Sequence, residues 1–311
     1  MDFPLDEYRE CRLCPRQCRV NRLDAQRGFC GETADCRLST ITAHFGEEPC
    51  LTGHHGSGTV FFSGCSCGCF FCQNYQISQE HLGSVRTVSE IVQDILDMLA
   101  HGVHNVNFVT PDHWWPHVRA IAKALRDQGV TVPFVWNSSG YSRAEMLEEQ
   151  CQLIDIFLPD FKFAEPDLAR RCMGREDYPE VALRGLEVLV NRLGFLRPWD
   201  ADGDITASRG VLVRHLVLPG EVENSLKVLH LLHDHFGDGL PLSVMSQFLP
   251  TPECQRRQTF TRQVTKSEYA QVCEAVAELG FRHVFLQPDG GADDFMPDFR
   301  QEQPFTGNIQ H

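Results

Sequence analysis

Residues 64–78 read GCSCGCFFCQNYQIS, and the rest of the chain is organised around them. Cys65, Cys69 and Cys72 are spaced C-x3-C-x2-C. Three thiolates at that spacing cap three irons of a [4Fe–4S] cube and leave the fourth iron open to a small molecule, whereas an electron-transfer cluster takes four cysteines. Zinc ligation is the competing reading. A zinc knuckle favours C-x2-C pairs and a fourth ligand, which this run lacks. Cys67 adds a C-x-C pairing and is read as a bystander. Residues 59–63 (TVFFS) precede the loop as an apolar strand, and Phe71 stands directly before the third cysteine.

The 311 residues suffice for one large domain or two small ones, and 42% are apolar, enough for a substantial core. A net charge of −14 argues against general binding to nucleic acid or anionic membranes. The opening MDFPLDEYRE has no signal-peptide core, and no segment approaches the ~20 apolar residues that span a bilayer. A cytoplasmic protein is expected. In that compartment the 14 cysteines stay reduced, so metal or cluster ligation outranks disulfides.

Residues 1–57 show little regular periodicity and form an expected N-terminal cysteine-rich region. There Cys11, Cys14, Cys18 and Cys30 are spaced C-x2-C-x3-C-x11-C, beside Pro15, Gly28 and Gly31. Four thiolates suit zinc and a fully ligated iron–sulfur cluster equally. The site is a zinc or cluster staple for a coreless segment, an auxiliary cluster that relays electrons or binds substrate, or a reduced, unliganded set, with Cys36 and Cys50 as substitutes for one ligand. The remaining cysteines, among them Cys36, Cys50 and Cys254, read as buried apolar thiols.

From residue 88 the chain alternates. Helical spacing covers 88–99, 117–128, 143–151, 178–191, 224–236 and 266–279, with Thr87 or Ser89 as the first cap and Ser267 as the last. Apolar strands cover 105–110, 132–137, 154–159, 211–218, 242–246 and 284–287. Such alternation predicts an α/β fold with a parallel sheet covered by helices, a partial (β/α)6 barrel over 58–288. A tail over 289–311, rich in Asp, Gly and Pro, is expected to be extended or loosely ordered.

In parallel β/α folds, chemistry gathers where strands end. Those ends carry Thr110; Asn137 and Ser139; Asp160 and Lys162; Arg214 and His215; and Gln247. The C-x3-C-x-aromatic-C pattern of this loop resembles the radical S-adenosylmethionine (SAM) signature, and that resemblance implies a sulfonium cofactor with a ribose diol and an amino-acid tail. Asn137, Ser139, Asp160 and Lys162 suit the ribose, Lys162 or Arg214 the carboxylate, and Thr110 the amino group. His215 reads equally as a core histidine or a site residue.

Beyond this resemblance to radical SAM enzymes, the chain as a whole is similar to proteins related to pyruvate formate-lyase activating enzyme, in the PflX-like branch. The resemblance rests on CRLCPRQCRVNR from Cys11, GEEPCLTG from Gly46, GSGTVFFSGC from Gly56, HNVNFVTPDH from His104, LPDFKF from Leu158, VRHLVLPG from Val213 and MSQF from Met245. It implies a SAM-bound [4Fe–4S] cluster, reductive cleavage to a 5′-deoxyadenosyl radical, and hydrogen abstraction inside the barrel. It also implies Phe71 beside the adenine, Asp160 and Lys162 as a D-x-K triplet touching SAM, and a monovalent cation near Asn137, Ser138, Leu158 and Asp160. The segment Thr110-Pro111-Asp112 departs from the usual glycine-rich, acidic motif after the second strand.

The expected electron donor is a reduced flavodoxin or ferredoxin, with Arg86, Arg119 and Arg126 as a candidate basic patch. The substrate is a glycine in a larger glycyl radical enzyme or, alternatively, a small molecule or peptide. A non-catalytic cluster-binding module is the third reading.

Overall fold

The computed structural model describes residues 4–287, 296–301 and 303–305. Its strands are β1 (Arg37–His44), β2 (Ser57–Phe62), β3 (Ser84–Val85), β4 (Val106–Val109), β5 (Phe134–Ser138), β6 (Ile156–Pro159), β7 (Gly210–Val211), β8 (Val213–Leu216), β9 (Leu242–Met245) and β10 (Val284–Leu286). The helices are α1 (Pro49–Thr52), α2 (Tyr75–Ser78), α3 (Val88–Leu99), α4 (Trp115–Asp127), α5 (Ala144–Gln150), α6 (Pro166–Met173), α7 (Tyr178–Leu193), α8 (Val222–Phe236), α9 (Pro252–Arg257) and α10 (Lys266–Glu278).

Seven strands form one sheet in the order β3-β1-β2-β4-β5-β6-β7, parallel from β2 onward, and β10-β9-β8 form a second parallel sheet. A parallel bridge between Asp160 and Arg214, closed by the Phe161 amide on the Arg214 carbonyl at 2.7 Å, joins the two into one curved wall. This is the expected partial barrel, with strands following one another around it in chain order. Right-handed crossover helices cover a parallel sheet in this way because each strand must return through a helix to lie beside its predecessor.

Alternation along each strand divides the interior from the helix-covered exterior. Phe62, Phe108, Phe134, Trp136 and Phe157 face outward into the main core, with successive ring centroids 6.0–6.4 Å apart where they meet. Val135, Ile156, Leu158 and Leu212 face inward. There they pack against Cys50 and Leu51 of α1, which plug the barrel floor. Above this plug the interior carries both polar residues, such as Asn137 and Asp160, and apolar ones, such as Phe61 and Val109.

Two expectations change. The cap of α10 is Thr265 and not Ser267: Thr265 Oγ accepts from the Glu268 amide, and the Glu268 carboxylate accepts from the Thr265 amide. Thr87 forms the same reciprocal box with Glu90 at the start of α3. Within the stretch of little periodicity, residues 37–44 form an antiparallel strand on β2, with Ile41 opposite Val60 and Thr42 opposite Thr59. The expected tail falls partly at residues 289–295, 302 and 306–311, which, with residue 288, lie outside the described residues. Of its described part, Phe299 and Phe305 pack on Phe61 at ring distances of 5.3 and 5.4 Å.

Candidate active site

At the end of β2 the Ser63 carbonyl accepts from His113 Nε2 (2.8 Å) and Trp114 Nε1 (3.0 Å), and Gly64 turns the chain at φ +80°. A side chain at Gly64 would meet the Cys30 carbonyl at 2.8 Å, so only glycine fits. The loop that follows is held from outside: Arg16 donates to the Ser66 and Cys67 carbonyls at 3.0 and 2.9 Å, the Phe70 amide to Cys172, and Gln79 Nε2 to the Cys69 carbonyl at 2.7 Å.

Cys65, Cys69 and Cys72 line one cavity of about 680 Å³ at the ends of the parallel strands. The Cys67 amide points at Cys65 Sγ (3.3 Å) and the Ser78 hydroxyl at Cys72 Sγ (3.4 Å). Burial pushes the Cys65 and Cys72 thiols up, so a thiolate in either place needs a cation bound to it. Donors aimed at sulfur and burial that demands a bound cation fit an iron–sulfur cube held by these three residues. Cys67 also lines the cavity and lies 3.6 Å from Met173 Sδ.

Phe71, Thr110, Asn137, Ser139, Asp160, Lys162, Arg214 and Gln247 line the same cavity. Phe71 is buried edge-on against Phe163, Phe248 and Phe260. Thr110 is held at φ +55°, a strained conformation for a β-branched residue, with its amide on the Asn137 carbonyl at 2.8 Å. Asp160 and Lys162 form a close ion pair with side chains only about one-fifth exposed, not the solvated surface pair their spacing allows. Burial opposes the charge on Lys162, yet Asp160 and the Cys69 sulfur hold its pKa well above the ordinary lysine value. Gln247 Oε1 accepts from Gln287 Nε2 at 2.8 Å, and its carbonyl accepts from Gln73 at 3.1 Å.

The positions of two expected residues do not match their expected roles. His215 is 1% exposed and is not among the residues facing the cavity; Nδ1 donates to the Phe161 carbonyl (2.7 Å) and Nε2 accepts from Ser225 Oγ (2.8 Å). Its side chain alternates with that of Arg214 and so points to the other side of β8. Burial lowers its pKa to about 4. Arg214 faces the cavity, but Glu47 and Glu48 both bind its buried guanidinium. The cation is committed to these two carboxylates, which leaves Lys162 as the better placed candidate for an incoming carboxylate.

Sequence reasoning missed several site residues. Glu47 also accepts from Asn107 Nδ2 at 3.0 Å. Two consecutive carboxylates ahead of a helix-starting proline were the available signal. Tyr178, on α7, carries only a helical signal in the sequence; its buried hydroxyl lies 2.9 Å from the Ser139 carbonyl and 3.0 Å from that of Asp160, and accepts from the Lys162 amide at 3.0 Å.

Cys11, Cys14 and Cys30 are buried, Cys18 is half-buried, and none of the four lines the cavity; they lie on the outer side of the cluster loop. Among the described residues no three His, Cys, Asp or Glu side chains converge closely enough to hold a single metal ion. Arg86, Arg119 and Arg126 each face carboxylates: Asp94, Glu7 with Glu149, and Asp155. No helix among the described residues is long and apolar enough to cross a membrane.

Comparison with known proteins places this site in a family. The chain is 28% identical over 273 residues to uncharacterized protein MJ0674 of Methanocaldococcus jannaschii, covering 86% of this chain and 74% of that one. Among solved structures it is similar to Streptococcus suis SuiB bound to S-adenosylmethionine (TM-score 0.49, 10% identity, 73% of this chain and 48% of that one). It is also similar to the FeFe-hydrogenase maturase HydG from Carboxydothermus hydrogenoformans (TM-score 0.47, 14% identity, 73% and 52%). The chain thus spans about half the length of these two solved chains. Residues 59–232, more than half of the sequence and including the cluster loop and the Asp160–Lys162 pair, match the radical SAM superfamily; the chain belongs to that superfamily, whose enzymes work with a [4Fe–4S] cluster and SAM.

Proposed function

We propose that this radical SAM enzyme is of the pyruvate formate-lyase activating type and takes a hydrogen atom from a glycine in a segment of a partner protein. The observation that carries the reading is the convergence of Cys65, Cys69 and Cys72 with the Asp160–Lys162 pair on one cavity. The cluster and SAM, when bound, supply a 5′-deoxyadenosyl radical after one-electron reduction.

The chain's own residues do the rest. Cys65, Cys69 and Cys72 would hold the cluster. Lys162, kept cationic by Asp160, would bind the SAM carboxylate. Asn137, Ser139 and Asp160 would bind the ribose, and Phe71 would border the adenine. Tyr178 fixes the backbone of both loops that carry these groups. The Glu47–Glu48–Arg214 set braces the opposite wall, and Cys50 and Leu51 pack against Val135, Ile156 and Leu158 below it. At the mouth, Phe45 and Leu286 are 42% and 44% exposed, which suits contact with a polypeptide. Modification of a small molecule or free peptide is the second reading, favoured by the polar Glu47–Arg214 wall. A reduced flavodoxin or ferredoxin is the proposed donor.

The test is anaerobic. Reconstituted protein with dithionite and SAM forms 5′-deoxyadenosine, and Cys69→Ala abolishes it. Bound zinc without sulfide, and no product, would sink the reading. With a candidate partner protein present, a backbone glycyl signal in electron paramagnetic resonance (EPR) supports the activating role; turnover on a small substrate alone replaces it with the second reading.

A further inference from the structure

We infer that an electron-carrier protein of net negative charge docks on the outer face of the cluster loop, around Arg19, Arg27 and Phe29. The inference rests on the one-electron reduction in the reading above. That electron comes from outside the chain, and the cavity side of the loop is taken by SAM and substrate. A donor is left with the loop's other face, where the N-terminal segment lies.

Charge marks this segment. Residues 9–31 hold six arginines against Glu10 and Asp24, a net +4 in a chain of net −14. A divalent core on the four thiolates there would take back about two of those charges and leave the segment positive. Arg9 and Arg12 are paired with Asp6 and Glu10, and Arg22 is buried. Arg19 and Arg27 are exposed, and among the described residues neither pairs with a carboxylate. The patch expected from the sequence is different in kind, because Arg86, Arg119 and Arg126 are each neutralised by an acidic neighbour.

Geometry places this charge over the cluster loop. Arg16 donates to the Ser66 and Cys67 carbonyls, and its guanidinium lies 3.6 Å from the centre of the Phe29 ring. That ring also lies on Gly68, where an added Cβ would fall 2.9 Å from it. Gly68 directly precedes Cys69, so a ring that is 49% exposed reaches the backbone beside a proposed iron ligand. The Phe29 amide points at Cys18 Sγ (3.2 Å), and a Cβ on Gly28 would lie 2.9 Å from Cys18 and 3.5 Å from Val20. Arg19, between those two residues, is thereby brought close to Arg27 and Phe29.

A lone exposed phenylalanine needs no explanation. This one stacks on an arginine, neighbours unpaired positive charge and touches the cluster loop. An aromatic anchor in a polar rim, with charge steering the encounter, suits a small transient interface. Nucleic acid offers the same charge but no electron. On docking, the carrier loses one electron, the cluster gains it, and no bond or proton moves.

The test compares the native full chain, reconstituted anaerobically, with Arg19→Glu/Arg27→Glu. Lys123→Glu/Arg184→Glu is the control, an equal charge change at exposed positions of α4 and α7. The probes are a flavodoxin and a ferredoxin, each of net negative charge. Calorimetric titration reads binding of the oxidised carrier, and 5′-deoxyadenosine formation compares reduced carrier with dithionite. At low salt, Arg19→Glu/Arg27→Glu should weaken carrier binding, and raise the half-saturating carrier concentration, by about tenfold. Dithionite-driven formation should stay at the native rate. The difference should shrink at about 0.15 M salt, where exposed charges are screened beyond ~8 Å. Native-like carrier binding by the variant, an equal loss in the control, or no binding of either carrier to the native chain would overturn the proposal. Should the charge reversals also slow the dithionite reaction, Arg19→Gln/Arg27→Gln replaces them, and equal losses with both reductants would overturn it. The titration needs no SAM cleavage and the dithionite assay no protein substrate, so failure here is distinct from failure of the proposed function.

Discussion

Arg214 Nε donates to Glu48 Oε1 at 2.9 Å, across 166 residues of chain. This bond ties β8 to the segment that plugs the barrel floor. Truncation at Arg214→Ala strands two buried carboxylates, and breaking such a set costs about 3–5 kcal/mol. Chemical denaturation should show that loss, and Arg214→Lys should recover only part of it because the forked geometry is gone.

The same pair gives stability an acid limit. Burial alone would raise the Glu48 pKa, but the Arg214 guanidinium holds it below its ordinary 4.5. A depressed folded pKa means the stabilisation is complete above about pH 4.5 and drains away as pH falls through the lower value. The stability difference between the native chain and Glu48→Gln should therefore be largest near neutrality and shrink below pH 4.5. A difference that grows with acid would refute the assignment.

Asp112 behaves in the opposite sense. It is buried behind β4, its Oδ1 accepts from Ser142 Oγ, and its Oδ2 has no partner among the described residues. Burial raises its pKa from 3.8 to about 6. The folded state then holds the proton more tightly, so stability falls as pH rises from about 4 to about 6. Asp112→Asn keeps the acceptor for Ser142 and should gain up to about 3 kcal/mol above pH 6 and nothing below pH 4. Thermal melts across that range would decide it.

Tyr178→Phe removes one hydroxyl from a site where it serves Ser139, Asp160 and Lys162. Leaving buried backbone groups unpaired costs about 1–3 kcal/mol. Because those groups carry the proposed SAM contacts, SAM affinity should fall by more than the melting temperature alone implies. Equal SAM binding in the variant would show that Tyr178 supports the fold and not the ligand.

Gly140 stands at φ +73°, and an added Cβ would lie 1.9 Å from the Asp160 carbonyl oxygen. Gly129 has a similar φ of +82° with nothing within 4 Å. Gly129→Ala should cost about 1 kcal/mol, the penalty of the left-handed backbone. Gly140→Ala should cost several times that and loosen Asp160, read as a larger drop in melting temperature together with weaker SAM binding.

Where the chain's signals are local, they were readable. The span of α3 follows from apolar spacing, and its start from Thr87 and Glu90 three residues apart. The parallel strands show as apolar runs because both their faces are buried. The C-x3-C-x2-C spacing lies within one loop and needs no tertiary knowledge. By contrast, β1 carries no local signal: most of its residues are only half-buried on an outer antiparallel strand, so no apolar run marks it.

The sequence by itself determined the order of strands and helices, the cluster loop and the polar residues at the strand ends, since each depends on neighbours a few positions apart. Tertiary structure decided which of those residues face the cavity. Arg214 and His215 are adjacent and equally polar in sequence, yet alternation along β8 turns one inward to Glu47 and Glu48 and buries the other against Phe161 and Ser225. Local spacing cannot make that choice, because the partners that satisfy each buried polar group arrive from other parts of the chain only when the barrel closes.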